Sequence, residues 1–225
     1  MLPYFRLAKR VLQVYNTCVS SIQIYTGGSV GCNAYLIRCA EDYVLVDAPA
    51  GVAAWVARRL PEGARLAHLL ITHQHFDHVE GAAEVQERFG CTVHAHSPYS
   101  TALTLEEYAS GWGLPRVKPY RVDDAFGSGK SRAVWGGDEW EIFCISGHSA
   151  DGVAYLLKRE ESVFVGDILF AGSVGRTDFP GGSMAGLVTG IRTHLTTLDP
   201  HTEVFSGHGP STTIGEELLN NPYIS

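Results

Sequence analysis

The sequence predicts a single α/β domain, a mixed sheet arrangement with helices on the outside. Short β-rich runs alternate with amphipathic helical patterns, and no linker, low-complexity tract or simple repeat interrupts them. A chain of 225 residues supports one substantial core, and its length does not force a second domain. Residues 1–225 are therefore read as one domain, with 1–20 as an N-terminal extension.

Residues 22–25, 32–38 and 43–47 read as successive strands, and a helical pattern follows from Val52 to Leu60. A buried strand is expected at 65–72, then a helix from Glu80 to Phe89 that Gly90 ends. A strand at 92–96 and a helical stretch near Leu103–Tyr108 come next. Between Gly111 and Trp140 the pattern weakens into a Gly-, Pro- and charge-rich stretch, read as a surface loop with room for one strand or a lid. Strands resume at 141–145, 153–157 and 162–166, and a helix from Met184 to Leu195 precedes a strand at 203–206. Thr213 and Glu216 have capping-box spacing, and the helix they open must stop before Pro222.

Hydrophobic residues make up 45% and charged residues 18%, which fits a compact globular enzyme and not a disordered chain. The net charge of −7 comes with no Lys/Arg stripe, which argues against nucleic acid as a partner. Cys18, Cys32, Cys39, Cys91 and Cys144 are odd in number and scattered, and they read as small buried hydrophobes of a reducing compartment. The first 21 residues hold Arg6, Lys9 and Arg10 but no apolar segment of signal-peptide length, and nothing later approaches a membrane span. A cytoplasmic protein without a membrane partner is expected. Oligomeric state is not written in these patterns.

The strongest local signal is Thr72-His73-Gln74-His75-Phe76-Asp77-His78, which follows an apolar strand directly. A lone histidine is ordinarily solvated or hydrogen-bonded. Three of them and an aspartate at one strand end would cost burial energy unless a divalent cation supplied the missing partner. In an extended segment His73 and His75 project the same way, whereas in a helix they would diverge by about 200°. Asp77 and His78 can then turn toward a second centre. His148, Asp167 and His208 each follow a strand and a glycine, a setting that lets the side chain point back across strand ends. Together these are five histidines and two aspartates. His68, His94, His96, His194 and His201 lack the setting and read as ordinary histidines.

At these residues the sequence resembles the metallo-β-lactamase superfamily, whose His-x-His-x-Asp-His signature is present as His73, His75, Asp77 and His78. The resemblance implies an αββα four-layer sandwich with metals between two sheets at one edge. It implies that His73, His75 and His148 hold one divalent metal ion, that Asp77, His78 and His208 hold the second, and that Asp167 bridges them. The words from Phe170 to Gly182 and from Gly207 to Glu216, with Asn221-Pro222-Tyr223-Ile224, are similar to small glyoxalase-II-like hydrolases. That branch implies thioester hydrolysis of a small-molecule substrate such as S-lactoylglutathione. Full-length glyoxalase II enzymes carry a further helical domain that supplies much of the glutathione site. Zinc is the expected cofactor, with iron and manganese the other cations such donors accept.

Two divalent cations, two aspartates and a bridging hydroxide sum to about +1, a charge that favours a carbonyl becoming an oxyanion. Metal binding lowers the pKa of water to about 7, so the expected nucleophile is a metal-bound hydroxide that Asp77 ligates and orients. Asp47, at a strand end, is expected to orient a ligand histidine from behind. Arg176 and Asp178 read as groups that orient the ligands from behind, as substrate contacts or as a local ion pair, Phe179 as a pocket wall, and Asn33 and Tyr35 as residues able to line the site. The rival readings are a lactonase with the same ligands, a mononuclear iron persulfide dioxygenase, and a non-catalytic zinc-binding module. A β-lactamase usually has cysteine where Asp167 stands and ranks below these.

Overall fold

The computed structural model describes residues 21–111, 113, 114 and 116–225, so the extension expected over 1–20 lies outside them. Strands β1 (Ile22–Gly27), β2 (Cys32–Arg38) and β3 (Tyr43–Val46) pair antiparallel in succession. Helix α1 (Val52–Ala57) leads to β4 (Leu66–Leu70). Helices α2 (Phe76–Val79) and α3 (Ala82–Phe89) lead to β5 (Thr92–Ala95), and α4 (Glu106–Gly111) precedes β6 (Asp124–Ala125). From β3 to β6 the pairing is parallel, which completes a six-stranded sheet in chain order.

The second sheet uses β7 (Arg132–Trp135), β8 (Asp138–Cys144), β9 (Val153–Leu157) and β10 (Ser162–Gly166). A small ribbon of β11 (Leu169–Phe170) and β12 (Ser173–Val174) follows, then α5 (Met184–Gly190), which runs on through a π turn at Ile191–Leu195. Strands β13 (Glu203–Ser206) and β14 (Thr212–Thr213) and helix α6 (Ile214–Asn220) end the chain. The spatial order of the second sheet is β14-β13-β10-β9-β8-β7.

The period-2 alternation of each strand explains the layering. On β2, Tyr35 and Ile37 face the second sheet and pack with Trp140, Ile142, Tyr155, Phe164 and Phe205. Ala34 and Leu36 face the other way, onto Val52, Val56, Val79 and Val85 of the first helical layer. Val163, Val165 and Val204 turn outward beneath Leu187, Ile191 and Ile214 of the second. Each sheet is covered on both faces, so its central strands are nearly continuous apolar runs. Burying one such Leu or Val contributes roughly 1.5–3 kcal/mol. The order is helix, sheet, sheet, helix, the αββα sandwich in a single domain.

Most expected elements are present with shifted ends. The helix near 103–108 begins later, at Glu106, because Leu105 adopts φ 57, which a helix excludes. The reading of 111–140 as a loop with one strand is corrected. It holds β6, β7 and the start of β8, with β7 and β8 joined by Gly136 and Gly137 at φ 60 and 86. Both positive φ values suit a tight hairpin, so Gly-Gly between two tryptophan-bearing runs was the signal for it. This stretch builds the sheet edges. The one-turn capping expectation holds, since the Thr213 hydroxyl accepts from the Glu216 N–H at 3.2 Å.

The two sheets are tied together at one end. Val153 N–H donates to the Thr72 carbonyl at 2.8 Å, Tyr155 O–H to the Ile71 carbonyl at 2.8 Å, and Asn33 N–H to the Gly207 carbonyl at 2.7 Å. These bonds fix the segments just before His73 and His208. No helix among the described residues is long and apolar enough to cross a membrane.

Candidate metal centre

The segment after β4 divides at His75. His75 is extended, at φ −55 and ψ 145, and α2 begins at Phe76. The non-helical expectation therefore holds for His73 and His75, and Asp77 and His78 ride on the single turn of α2. That turn swings the second pair of side chains away from the first. Gly166 ends β10 and Gly207 directly follows β13, and these two strands run parallel and deliver Asp167 and His208 to the same edge. Gly207 also leaves room: a Cβ there would overlap Asp167 Oδ1 and the His78 ring.

All seven side chains meet. His73 and His148 bring their Nε2 atoms to 3.2 Å, and His208 Nε2 lies 3.0 Å from Asp77 Oδ2. Asp167 stands between the two halves. Its Oδ1 is 3.3 Å from His78 Nε2, and its Oδ2 is 3.6 Å from His148 Nε2 and 3.7 Å from His208 Nε2. His73, His75 and His148 form one group of donor atoms within 4.8 Å of one another, and Asp77, His78 and His208 belong to another.

Tautomers explain why this cluster wants a cation. His148 Nδ1 faces the Arg176 carbonyl at 2.8 Å, an acceptor, so Nδ1 carries the proton and Nε2 offers a lone pair. His78 Nδ1 faces Asp47 Oδ2 at 2.8 Å with the same consequence. Asp47 is itself held by the Thr72 N–H at 2.8 Å and the Thr72 O–H at 2.7 Å. Since Thr72 Oγ1 gives its proton to Asp47, it accepts from His73 Nδ1 at 3.2 Å. Three imidazoles thus direct lone pairs inward, toward carboxylates. Among the described residues, His78 Nε2 and Asp167 Oδ1 are the buried side-chain atoms without a hydrogen-bond partner. Two facing acceptors repel unless positive charge, a proton or a metal cation, lies between them.

The charges lean the same way. Burial, then the neighbouring histidines, drive His73 well below the usual imidazole range, and burial does so to His75, down to about 3. For His78 burial opposes charge, yet Cys32, Asp77, Asp167 and Asp47 outweigh it and hold its proton affinity well above normal. Burial would raise Asp77 and Asp167, but His78 and the other histidines keep both carboxyls below their ordinary values. The centre therefore attracts positive charge at its second half and resists protonation at its first.

A cavity of about 250 Å³ opens onto the cluster, walled by Val30, Phe76, Leu105, Arg176 and Phe179. Phe179 stands edge-on to His75, with ring centroids 5.7 Å apart, as a pocket wall should. Arg176 pairs with Asp178 through two 2.6 Å bonds on the exposed surface, and its guanidinium lies 4.1 Å over the Phe179 ring. The local ion pair is therefore formed, and the atom of Arg176 that orients His148 is its carbonyl. Asp47 stands where the sequence put it, behind His78. Asn33 and Tyr35 do not line the cavity. Their side chains donate to the Ser206 carbonyl at 3.1 and 2.5 Å, and Asn33 also to the Gly209 carbonyl at 3.0 Å, which anchors the loop that bears His208. No described residue of 111–140 borders the cavity, so Leu105 and Phe179 take the covering role considered for that stretch. A larger cavity, about 680 Å³, lies along β1 near Arg38 and Arg159, and none of the seven side chains reaches it.

Sequence reading missed three neighbours. Thr72 relays Asp47 to His73. Asp151 is buried and accepts from the Gln74 N–H at 3.2 Å, which pins the loop between the first two histidines. Cys32 joins the donor group of Asp77, His78 and His208.

Comparison with known proteins agrees with this geometry. Hydroxyacylglutathione hydrolase GloC of Haemophilus influenzae is 33% identical over 196 residues, 86% of this chain and 92% of that protein. The crystal structure of the B3 metallo-β-lactamase BLEG-1 is similar at a TM-score of 0.82 and 29% identity, over 91% of this chain and 99% of that one. The di-iron-bound form of TTHA1623 matches at a TM-score of 0.76 and 33% identity, over 90% and 100% of the two chains. A sequence model of the metallo-β-lactamase superfamily matches residues 27–208, and with the seven converging side chains this chain belongs to that superfamily of metal-dependent hydrolases.

Proposed function

We propose that the protein hydrolyses small thioesters in the manner of glyoxalase II, using two divalent cations of which zinc is the leading candidate. One observation carries the reading: inward-facing histidine lone pairs and carboxylates leave buried atoms unpartnered at the floor of an apolar-walled cavity. The likeness to hydroxyacylglutathione hydrolase over most of both chains supports the thioester. In this reading His73, His75 and His148 hold one cation, Asp77, His78 and His208 the other, and Asp167 spans both. The bound cations supply an acidified water and polarise the scissile carbonyl.

The protein's own groups set the stage for that chemistry. Asp77, 3.0 Å from His208, is placed to accept a proton and orient the attacking water. Thr72, Asp47 and the Arg176 carbonyl keep His73, His78 and His148 in the tautomer that offers Nε2. Phe179, Leu105 and Val30 exclude bulk water, which strengthens every charge interaction inside. Arg176 is already engaged by Asp178, so it is not a free clamp for a substrate carboxylate.

The likeness to BLEG-1 favours a second reading, β-lactam hydrolysis by the same centre. The two are separated by loading the metal-free chain with zinc, iron or manganese and measuring kcat/KM on S-lactoylglutathione, an acyl-homoserine lactone and a β-lactam. The thioester is expected to lead by on the order of a hundredfold. A lactone or β-lactam preferred over every thioester, or oxygen uptake with a persulfide, would overturn the assignment.

A further inference from the structure

The hydrolase reading leaves one donor of the cluster unused. Cys32 opens β2 and is completely buried. Asn33 and Tyr35 send their side chains to the Ser206 carbonyl, and strand alternation turns Cys32 away from Tyr35's neighbours, toward α2, which β2 packs against. Its Sγ belongs with Asp77, His78 and His208 to a set whose donor atoms all lie within 4.8 Å of one another. The Sγ has a weak contact, 3.4 Å, with the Asn33 carbonyl. Beside it is an independent sign of a missing ligand: His78, also completely buried, has an Nε2 without a hydrogen-bond partner.

The spacing suits one cation. Tetrahedral donors at the usual zinc distances to nitrogen, oxygen and sulfur stand roughly 3.3–3.6 Å apart. Asp77 Oδ2 already stands 3.0 Å from His208 Nε2 and 3.6 Å from His78 Nε2, and the thiol closes in from within 4.8 Å of them. We propose that Cys32 is a thiolate ligand of the second metal position, where it shares one cation with Asp77, His78, His208 and the spanning carboxylate of Asp167. This rests on the reading that the cluster holds two cations, and it makes the two positions chemically unlike. The Cys32–cation bond forms as the S–H proton leaves to solvent, with no change of oxidation state. The second position then favours borderline and soft cations such as zinc, cobalt and cadmium over manganese. The first position, with three histidines, keeps the open coordination that water and substrate need.

The full chain, stripped of metal and titrated with cobalt(II), tests this by absorption. Two cobalt ions per chain are expected, one of them with an intense sulfur-to-cobalt band in the near ultraviolet. Cys32→Ser is expected to abolish that band, to leave the visible bands of the other ion, and to weaken the second cobalt at least about tenfold. In cadmium-113-loaded wild-type protein, the Cys32 β-protons are expected to correlate with the metal signal, which needs no variant. Two bound cobalt ions without a sulfur band, a band that survives Cys32→Ser, or a missing Cys32–cadmium correlation would each overturn the thiolate assignment and leave the hydrolase reading intact. A chain that takes up fewer than two ions would overturn both.

Discussion

His68, His94 and Asp124 line up across β4, β5 and β6, a few residues before His73 on the same sheet, and they handle their protons in the opposite way from the metal centre. His68 Nδ1 lies 3.0 Å from His94 Nε2, and His94 Nδ1 lies 3.0 Å from Asp124 Oδ2, which Lys130 also contacts. In this chain each lone pair meets a proton: His68 donates to His94, His94 to Asp124, and the lysine completes the carboxylate. At the metal centre, Thr72, Asp47 and the Arg176 carbonyl draw the Nδ1 protons outward, and the lone pairs converge on one another. Residue types are the same in both places. What separates a structural network from a site is where the protons point, and the partnerless His78 Nε2 and Asp167 Oδ1 record that difference.

The comparison breaks first at Asp77. Asp77→Ala removes a carboxylate from a cluster already crowded with lone pairs, and kcat/KM on the best thioester should fall on the order of 10³-fold. The fold should persist, because the Asp77 side chain belongs to none of the three apolar clusters, while Phe76 and Val79 keep α2 anchored in the first of them. Near-normal turnover with an unchanged circular dichroism spectrum would contradict its role.

Metal removal is the next largest effect. A ligand that binds only the native state at a hundred to a thousand times its Kd stabilises by about 3–4 kcal/mol. Chelation should therefore lower the Tm, and added zinc should restore it, in the wild type and equally in His94→Gln. A Tm indifferent to chelation would place the metal centre in the same class as the His94 network. Asp47→Asn tests the outward pull itself. An amide NH₂ facing His78 Nδ1 favours the wrong tautomer, so metal affinity should drop about 10–100-fold in a chelator-competition titration. Unchanged affinity would show that Nε2 needs no such support.

These residues also show what a linear chain reveals. His73, His75, Asp77 and His78 were legible because metal-binding residue types crowd one strand end, and Asp167 and His208 because a strand and a glycine announce a turn. The layers were legible because strand alternation and helical periodicity are local. Thr72, Asp151 and the Arg176 carbonyl were not, since they act through hydrogen bonds to backbone or hydroxyl atoms that carry no residue-type signature. Cys32 sits in an apolar run, where a thiol reads as core. The shifted start of α4 depends on the left-handed φ of Leu105, a conformation that tertiary packing imposes on a residue with no preference for it.

The smallest effect concerns His68. Burial, and then the charge His94 would carry, push His68 down to about 4. Its unfolded value is near 6.5. Between those values the unfolded chain binds the extra proton, so ΔG of unfolding rises with pH there; the stabilisation is complete above about 6.5 and is lost as pH falls toward 4. The ring is only partly buried, and after screening the loss is of order 1 kcal/mol. His68→Gln can still donate to His94 but cannot titrate. Metal-loaded wild type and His68→Gln should therefore show equal turnover at pH 7, while urea midpoints at pH 7 and pH 4.5 fall further apart in the wild type than in the variant. Because both proteins keep the same metal centre, its own titration cancels in that difference. Parallel pH profiles would mean that His68 is not held neutral, and the proton-complete network set against the metal centre would lose its first link.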